Sequence, residues 1–301
     1  MSGSAWAMAF AVAASAGATM ALAGIAPRAG LADDPAGAPE RKLQPHAVPA
    51  IGGAAVLVGL LAASAASAEM VPDLAVWPAL LLAFALGSVD DRTAGGLGPG
   101  KILVGQAIVA AALLAGGWRL GSSATSFLAA MIAMNAANTF DNADGAASSL
   151  AILGLGAGPS LAAAPLIGFL PFNLWLRRGL APLAYLGNAG SHVVGILLLV
   201  DPIARAALLL PCLDLARVVV ERIRADAPPW KGDRRHLAHR LQNAGLAPTT
   251  VAVVLLAIAA PAVLGARASS EEGWSFLPLA LGVAMTGGAF ALAVIATRRP
   301  A

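Results

Sequence analysis

Long apolar runs broken by short polar punctuation make up most of the chain. A helical run of about 20 residues without charge matches the thickness of a bilayer core, and nine runs approach that length. They occupy residues 4–26, 49–68, 72–89, 101–118, 123–140, 183–200, 202–220, 248–266 and 274–297. A tenth apolar block, 146–176, has 31 residues. It is long for one tilted helix and short for two full crossings, which want about 36–40. The first run has no basic flank ahead of it, so it reads as a retained helix, with a cleaved signal peptide as the alternative.

The basic residues arbitrate on the long block. With two short crossings there, the chain has eleven spans and its N-terminus lies outside. The inner face then receives Arg28, Arg41, Lys42, Arg92, Lys101, Arg177, Arg178, Arg217, Arg222, Arg224, Lys231, Arg234, Arg235, Arg240, Arg298 and Arg299, which is 16 of the 19 Lys and Arg. Only Arg119, Arg205 and Arg267 fall elsewhere. A single crossing would put the most basic loop, 221–247, opposite Arg92 and Lys101, against the positive-inside rule. The expectation is therefore an all-α integral membrane protein of about 10–11 transmembrane helices. Residues 1–301 form one polytopic domain, since no long polar linker divides two cores.

Composition supports this without adding detail. Of the 301 residues 58% are hydrophobic and only 12% charged, with mean hydropathy +0.78, the range of multispanning proteins. The single cysteine, Cys212, excludes an intrachain disulfide framework and a Cys-rich zinc site. The pI near 9.6 comes from scattered loop residues without an aromatic platform, which argues against nucleic-acid binding.

Five polar segments then fall on one side of the membrane: "PHAVPAIGG" (45–53), "DDRTAGGLGPGK" (90–101), "NAANTFDNADG" (135–145), "GNAGS" (187–191) and "KGDRRHLAHRL" (231–241). The spans themselves read as nearly free of charge, unlike a transporter with ionisable groups at the midplane. Asp90 and Asp91 stand where a helix should end, and the dipole disfavours negative charge there. A cation between them would relieve their repulsion; a solvated pair beside Arg92 is the plainer alternative. Asn138, Asp141 and Asp144 are spaced by three, which on a helix end would align three oxygen-bearing side chains; a simple turn is the alternative. His236 and His239, with Arg235 and Arg240, form a basic face able to meet phosphate or an anionic membrane surface. "GNAGS" offers glycine backbone and helix-start amides to an anion, or merely a helix-entry turn.

In this order, over residues 45–247, the five segments resemble the polyprenyl-phosphate N-acetylhexosamine-1-phosphate transferase family, whose members start lipid-linked glycan assembly. "VPAIGG" looks like that family's proline-glycine segment. "DDR" with Lys101 and Gln106 looks like its aspartate pair with downstream lysine and glutamine. "NAANTFDNADGAA" is similar to its asparagine-rich Asp-x-x-Asp-Gly motif, "GFLPFN" with "GNAGS" to its substrate-loop region, and "DRRHLAHRLQNAGL" to its histidine loop. The resemblance implies cytoplasmic active-site loops and a Mg²⁺-dependent reaction, with Mn²⁺ as a substitute. A UDP-sugar, UDP-N-acetylglucosamine or a relative, gives its sugar 1-phosphate to polyprenyl (undecaprenyl) phosphate with release of UMP.

By the same resemblance, Asp90 or Asp91 would orient or deprotonate the acceptor, and Asp141 and Asp144 would hold metal or nucleotide. Lys101 would meet the diphosphate, Asn138 and Asn188 would be metal ligands, and His236, His239, Arg240 and Gly145 would lie at the substrate. Arg177 and Arg178 are further candidates without a motif behind them. The partners implied are the lipid phosphate, the UDP-sugar and the plasma (inner) membrane, with a homodimer admitted and no nucleic acid. Two positions depart from the family pattern: Asn188 replaces an aspartate that binds Mg²⁺, and Ala238 replaces a third histidine. A family member that binds lipid phosphate or nucleotide without turnover is the second reading, and a transporter of an anionic solute the third.

Overall fold

The computed structural model of the chain describes residues 3–34, 46–67, 72–158, 160–174, 182–230, 232–273 and 275–297. Among these residues lie twelve α-helices: α1 (Gly3–Ile25), α2 (Gly52–Ala66), α3 (Trp77–Arg92), α4 (Pro99–Ala115), α5 (Ser123–Phe140), α6 (Ala146–Gly156), α7 (Ala163–Asn173), α8 (Gly187–Val200), α9 (Leu209–Arg224), α10 (Leu237–Asn243), α11 (Pro248–Glu271) and α12 (Phe276–Ala296). One antiparallel pair, β1 (Ala32–Asp33) with β2 (Val48–Pro49), sets Asp33 opposite Val48. The protein is all-α in class. Four helical stretches, Ser4–Ala29, Leu74–Arg92, Pro248–Glu271 and Phe276–Ala296, are long and apolar enough to cross a membrane, and five shorter apolar helices accompany them.

Local chemistry sets the boundaries. Pro99 and Pro248 stand in the first turns of α4 and α11, where the missing N–H has no partner to lose. Ser122 caps α5 by accepting the Thr125 N–H at 3.1 Å. The long apolar block 146–176 is broken into α6 and α7, 11 residues each, so each is about 16 Å long. The chain runs from Asp144 away along α6 and comes back along α7 to Asn173, and both residues line the same cavity.

The hub is α8, buried continuously from Ala189 to Leu199 and packed by α2, α3, α5 and α6. Over this stretch the helix has no solvent or lipid face, and its two buried polar side chains, Ser191 and His192, are both hydrogen-bonded. Lipid tails are as apolar as leucine, so close packing of small residues has to hold these helices together. A Cβ on Gly53 would lie 2.6 Å from the Gly190 nitrogen, and one on Gly195 would lie 2.7 Å from the Ala133 oxygen. At Gly87, a Cβ would collide with the backbone of Asn188 and Ala189. The glycines of "VPAIGG" serve the same end: Gly52 and Gly53 donate N–H bonds to the carbonyls of Tyr185 and Leu186 at 3.0 and 3.1 Å. This ties the start of α2 to the segment that leads into α8.

The spans are not as free of charge as the sequence suggests. Asp214 and Arg217 lie within the apolar run 202–220, on α9, with Glu221, Arg222 and Arg224 further along the same helix. A second polar group is buried between helices. Asn135 Nδ2 donates to Gln106 Oε1 at 2.7 Å, and Gln106 Nε2 lies 3.1 Å from His192 Nε2. Because the Gln106 oxygen is occupied as acceptor, its nitrogen donates. His192 therefore accepts at Nε2 and donates from Nδ1 to the Asn188 carbonyl at 2.6 Å. Gln106 thus joins α4, α5 and α8 and does not face the cavity.

Candidate active site

A cavity of about 690 Å³ opens at one end of the bundle. It gathers the C-terminal ends of α3, α5, α7 and α9, the N-terminal ends of α8 and α11, and Asp33 from β1.

Asp91 reaches this cavity from the end of α3. Its Oδ1 accepts the Asn188 N–H at 3.0 Å and its Oδ2 the Ala189 N–H at 3.1 Å. The carboxylate therefore sits on free amides of the first turn of α8, where the helix dipole favours negative charge. Gly87, one turn earlier, permits the approach. Asp90 is turned the other way: Oδ1 accepts the Leu97 N–H and Oδ2 the Asn188 side-chain amide, each at 2.6 Å. Adjacent carboxylates are accommodated here by separate N–H donors. Only Asp91 of the pair lines the cavity.

The expected helical stripe of Asn138, Asp141 and Asp144 is cut short. Helix α5 stops at Phe140, Asp141 is the residue that ends it, and Asp144 lies in the following turn. The turn nevertheless brings both carboxylates to the cavity wall beside Asn138 and Asn142. Neither carboxylate has a hydrogen bond or ion pair among the described residues. Asp141 is half-buried and lines the cavity. Burial, then the charges of Asp91 and Asp144, push its carboxyl well above the ordinary range. Burial alone raises Asp144 to about 6. Asn142 Nδ2 donates to the Thr139 carbonyl at 2.6 Å, which leaves its buried Oδ1 without a partner. Gly145 has φ of 71° and a Cβ there would collide with Leu174. It is not among the residues that line the cavity.

The histidine loop is stapled to the end of α9. Arg222 pairs with Asp233 at 3.1 Å and donates to the Pro229 carbonyl at 2.8 Å. Arg217 donates to the Arg235 carbonyl at 2.7 Å. His236 precedes α10 and His239 lies within it; both line the cavity. His236 Nδ1 is 2.9 Å from Asp214 Oδ2, and His239 Nδ1 is 3.1 Å from Gln242 Oε1. Burial lowers the His239 imidazole, which keeps it neutral at pH 7.

Arg240 is directed elsewhere. Its Nη2 donates to the Val294 carbonyl at 2.8 Å and its Nη1 stands 3.7 Å from Glu221. Lys101 is exposed and outside the cavity wall. It stands five residues before the inward-facing Gln106, about 140° around the helix. The two asparagines expected as metal ligands both line the cavity and each makes a side-chain bond to the protein, while the Asn188 Oδ1 has no protein partner among the described residues. Asn138 Oδ1 accepts from Ser191 Oγ at 3.0 Å, and Asn188 turns its nitrogen to Asp90 because a carboxylate only accepts. Arg177 and Arg178 lie outside the described residues.

Other wall residues escaped the sequence reading. Tyr185, the only tyrosine, is held by a bridge to Ala50. Its phenol is pushed upward by burial and then by Asp144, Asp33 and Asp141. Asp33, Arg222 and Trp230 also line the cavity. Asp214 could have been found: a carboxylate inside an otherwise apolar span is a functional flag by itself. Tyr185 and Asp33 carried no comparable signal.

Among the described residues, five aspartates, Asp33, Asp91, Asp141, Asp144 and Asp233, and one arginine, Arg222, line the cavity. No three His, Cys, Asp or Glu side chains converge into a ready metal set among the described residues. The donor chemistry fits Mg²⁺ all the same. Asp141 and Asp144 are hard oxygen donors without protein partners, the orphaned Asn142 oxygen lies beside them, and Mg²⁺ commonly takes only one or two carboxylates plus substrate phosphate. No protein-family model matches the chain, and no curated protein matches it.

Proposed function

We infer that the protein is a membrane transferase that moves a sugar 1-phosphate from a UDP-N-acetylhexosamine to polyprenyl phosphate. One observation carries this reading. Aspartates and histidines that are up to 148 residues apart in the chain, from Asp91 to His239, face one cavity at a single end of an apolar helical bundle. The segments that supply them are those whose order resembles the transferase family. A lipid acceptor requires a site at the membrane face, and phosphoryl transfer needs positioning and charge neutralisation more than covalent help.

In the reaction, an acceptor phosphate oxygen bonds to the β-phosphorus of the UDP-sugar, the bond to the α-phosphate breaks, and UMP leaves. Asp91, held by two backbone amides, would orient the acceptor phosphate and take its proton. Asp141 and Asp144 would hold Mg²⁺, which when bound supplies neutralisation of the diphosphate charge. His236 would donate a hydrogen bond to a phosphate oxygen, and His239, whose Nδ1–H is held by Gln242, would accept one at Nε2 from a hydroxyl of the sugar. Asn142 and Tyr185 are further polar groups for the sugar or nucleotide. On this reading the cavity faces the cytoplasm of the cell membrane, all helices but α10 cross it, and α6 and α7 are two shortened crossings.

A second reading, binding without turnover, is favoured by one contact. The Asn188 amide donates to Asp90, so this position brings a hydrogen bond and no charge where the family pattern has a carboxylate. Release of UMP from UDP-N-acetylglucosamine by the purified protein, with undecaprenyl phosphate and Mg²⁺, separates the two. Turnover in the parent, with loss of more than about a hundredfold in Asp141→Asn, is expected. A silent parent with an active Asn188→Asp variant would favour the binder, and unchanged turnover in Asp141→Asn would remove the site assignment.

A further inference from the structure

The mechanism above leaves unused a carboxylate buried inside α9. Asp214 is 2% exposed and His236 5%. Asp214 Oδ2 faces His236 Nδ1 at 2.9 Å, both its oxygens accept the Leu237 N–H at 3.1 and 3.2 Å, and Oδ1 meets Arg217 Nη2 at 2.7 Å. Arg217 in turn grips the Arg235 carbonyl next to the histidine. Apart from the Arg217–Asp214 pair within α9, these bonds hold His236 itself and its two neighbours, Arg235 and Leu237. Burial of a charge among apolar helices is costly unless it is fully paired, and this one is paired on all sides.

We propose that Asp214 is a positioning residue: it holds the His236 ring by its Nδ1–H and so aims Nε2 into the cavity, where the imidazolium form donates from Nε2 to a phosphate oxygen of the ligand. A carboxylate only accepts, so the nitrogen that faces it carries a hydrogen. The other nitrogen is then the one left for the ligand. Nε2 has no protein partner among the described residues, and His236 lines the cavity wall. Arg217 pairs with Asp214 and ties it to the loop, so the unit joins the membrane-embedded helix to the site. The proposal rests on the reading that the cavity holds a diphosphate.

The test uses the full chain in lipid nanodiscs with ¹⁵N-labelled histidine and Mg²⁺-pyrophosphate as probe. The His236 signals, identified by their loss in His236→Gln, should show a protonated Nδ1 and should shift at Nε2 on addition of the probe. Asp214→Asn should weaken pyrophosphate binding roughly tenfold, the usual scale for a group that orients a ligating histidine, without lowering the melting temperature comparably. In the His236→Gln background Asp214→Asn should then cost nothing further. A ring protonated only on Nε2, an Nε2 signal indifferent to pyrophosphate, or additive losses in the double variant would overturn the proposal. The parent spectra decide the first two points even where a variant folds poorly. UMP release on the same samples keeps the two readings apart: a pyrophosphate-responsive His236 without UMP release retains the Asp214 assignment and removes the transferase.

Discussion

Asn188 is where one residue decides most. Its amide relieves Asp90 of a neighbouring charge through a 2.6 Å hydrogen bond, so Asn188→Asp should act in opposite directions on the empty and the loaded protein. Without divalent cation the new carboxylate faces Asp90 unpaired, and stability should fall by about 1–3 kcal/mol. With Mg²⁺ or Mn²⁺ present the added charge should lower the half-saturating metal concentration about tenfold. Melting curves with and without chelator, and a metal titration of UMP release, check both. The Asp144 carboxyl supplies a pH dependence. It is raised to about 6 by burial, against about 4 for an unfolded chain. Between those values the folded protein binds more protons than the unfolded one, so the stability of the metal-free protein falls as pH rises through the window. In chelator the melting temperature should be higher at pH 5 than at pH 7, and Asp144→Asn should shrink the difference. Metal binding needs the deprotonated form and should show the reverse trend.

Among the elements, the contact of α3 with α8 holds the site together. Gly87 lets the two backbones meet, and the meeting puts Asp91 on the amides of Asn188 and Ala189. Gly87→Ala should force the helices apart at a cost of about 1–3 kcal/mol. Turnover should suffer beyond what stability explains, because Asp91 loses its seat; comparison of kcat at equal folded fraction measures this. The loop from α9 to α10 depends on a different device. Arg222 spans Asp233 and the Pro229 carbonyl, and Arg222→Gln should free the loop. Hydrogen exchange over 225–236 is expected to speed up while the helices stay protected.

For the whole molecule, the path of the chain sets the sidedness. Helices α6 and α7 leave the cavity end and return to it, so the polypeptide before α6 and after α7 lies at the same end. Cysteines placed at 177–178 and at 231–235 should therefore react with the same face of a sealed vesicle, and a cysteine at the N-terminus with the other face. Opposite labelling of the first two sites would refute the eleven-crossing reading. The residues that the sequence picked out divide along physical lines. Asp91, Asn138, Asp141, Asp144, Asn188, His236 and His239 reach the cavity. Lys101, Gly145 and Arg240 carry the right chemistry by type but point or pack elsewhere, and Asp90 stands behind Asn188. Linear spacing speaks to neighbours on one helix, while facing a cavity depends on helix phase and on where a helix stops. Helix α5 ends at Phe140 and thereby changes the direction of everything after it.

Helical class, the approximate limits of the apolar runs and the division of 146–176 were readable from the sequence, because hydrophobic length and proline, glycine and serine punctuation act locally. So was the polar chemistry of the five segments. Which carboxylate meets the cavity, what Asn188 bonds to, and that Asp214 stands behind His236 were decided only in the tertiary structure. Those facts depend on contacts between residues from 22 to 98 positions apart, and no local pattern encodes such a distance. Close glycine packing between α3 and α8 and the return of α7 to the cavity end create them.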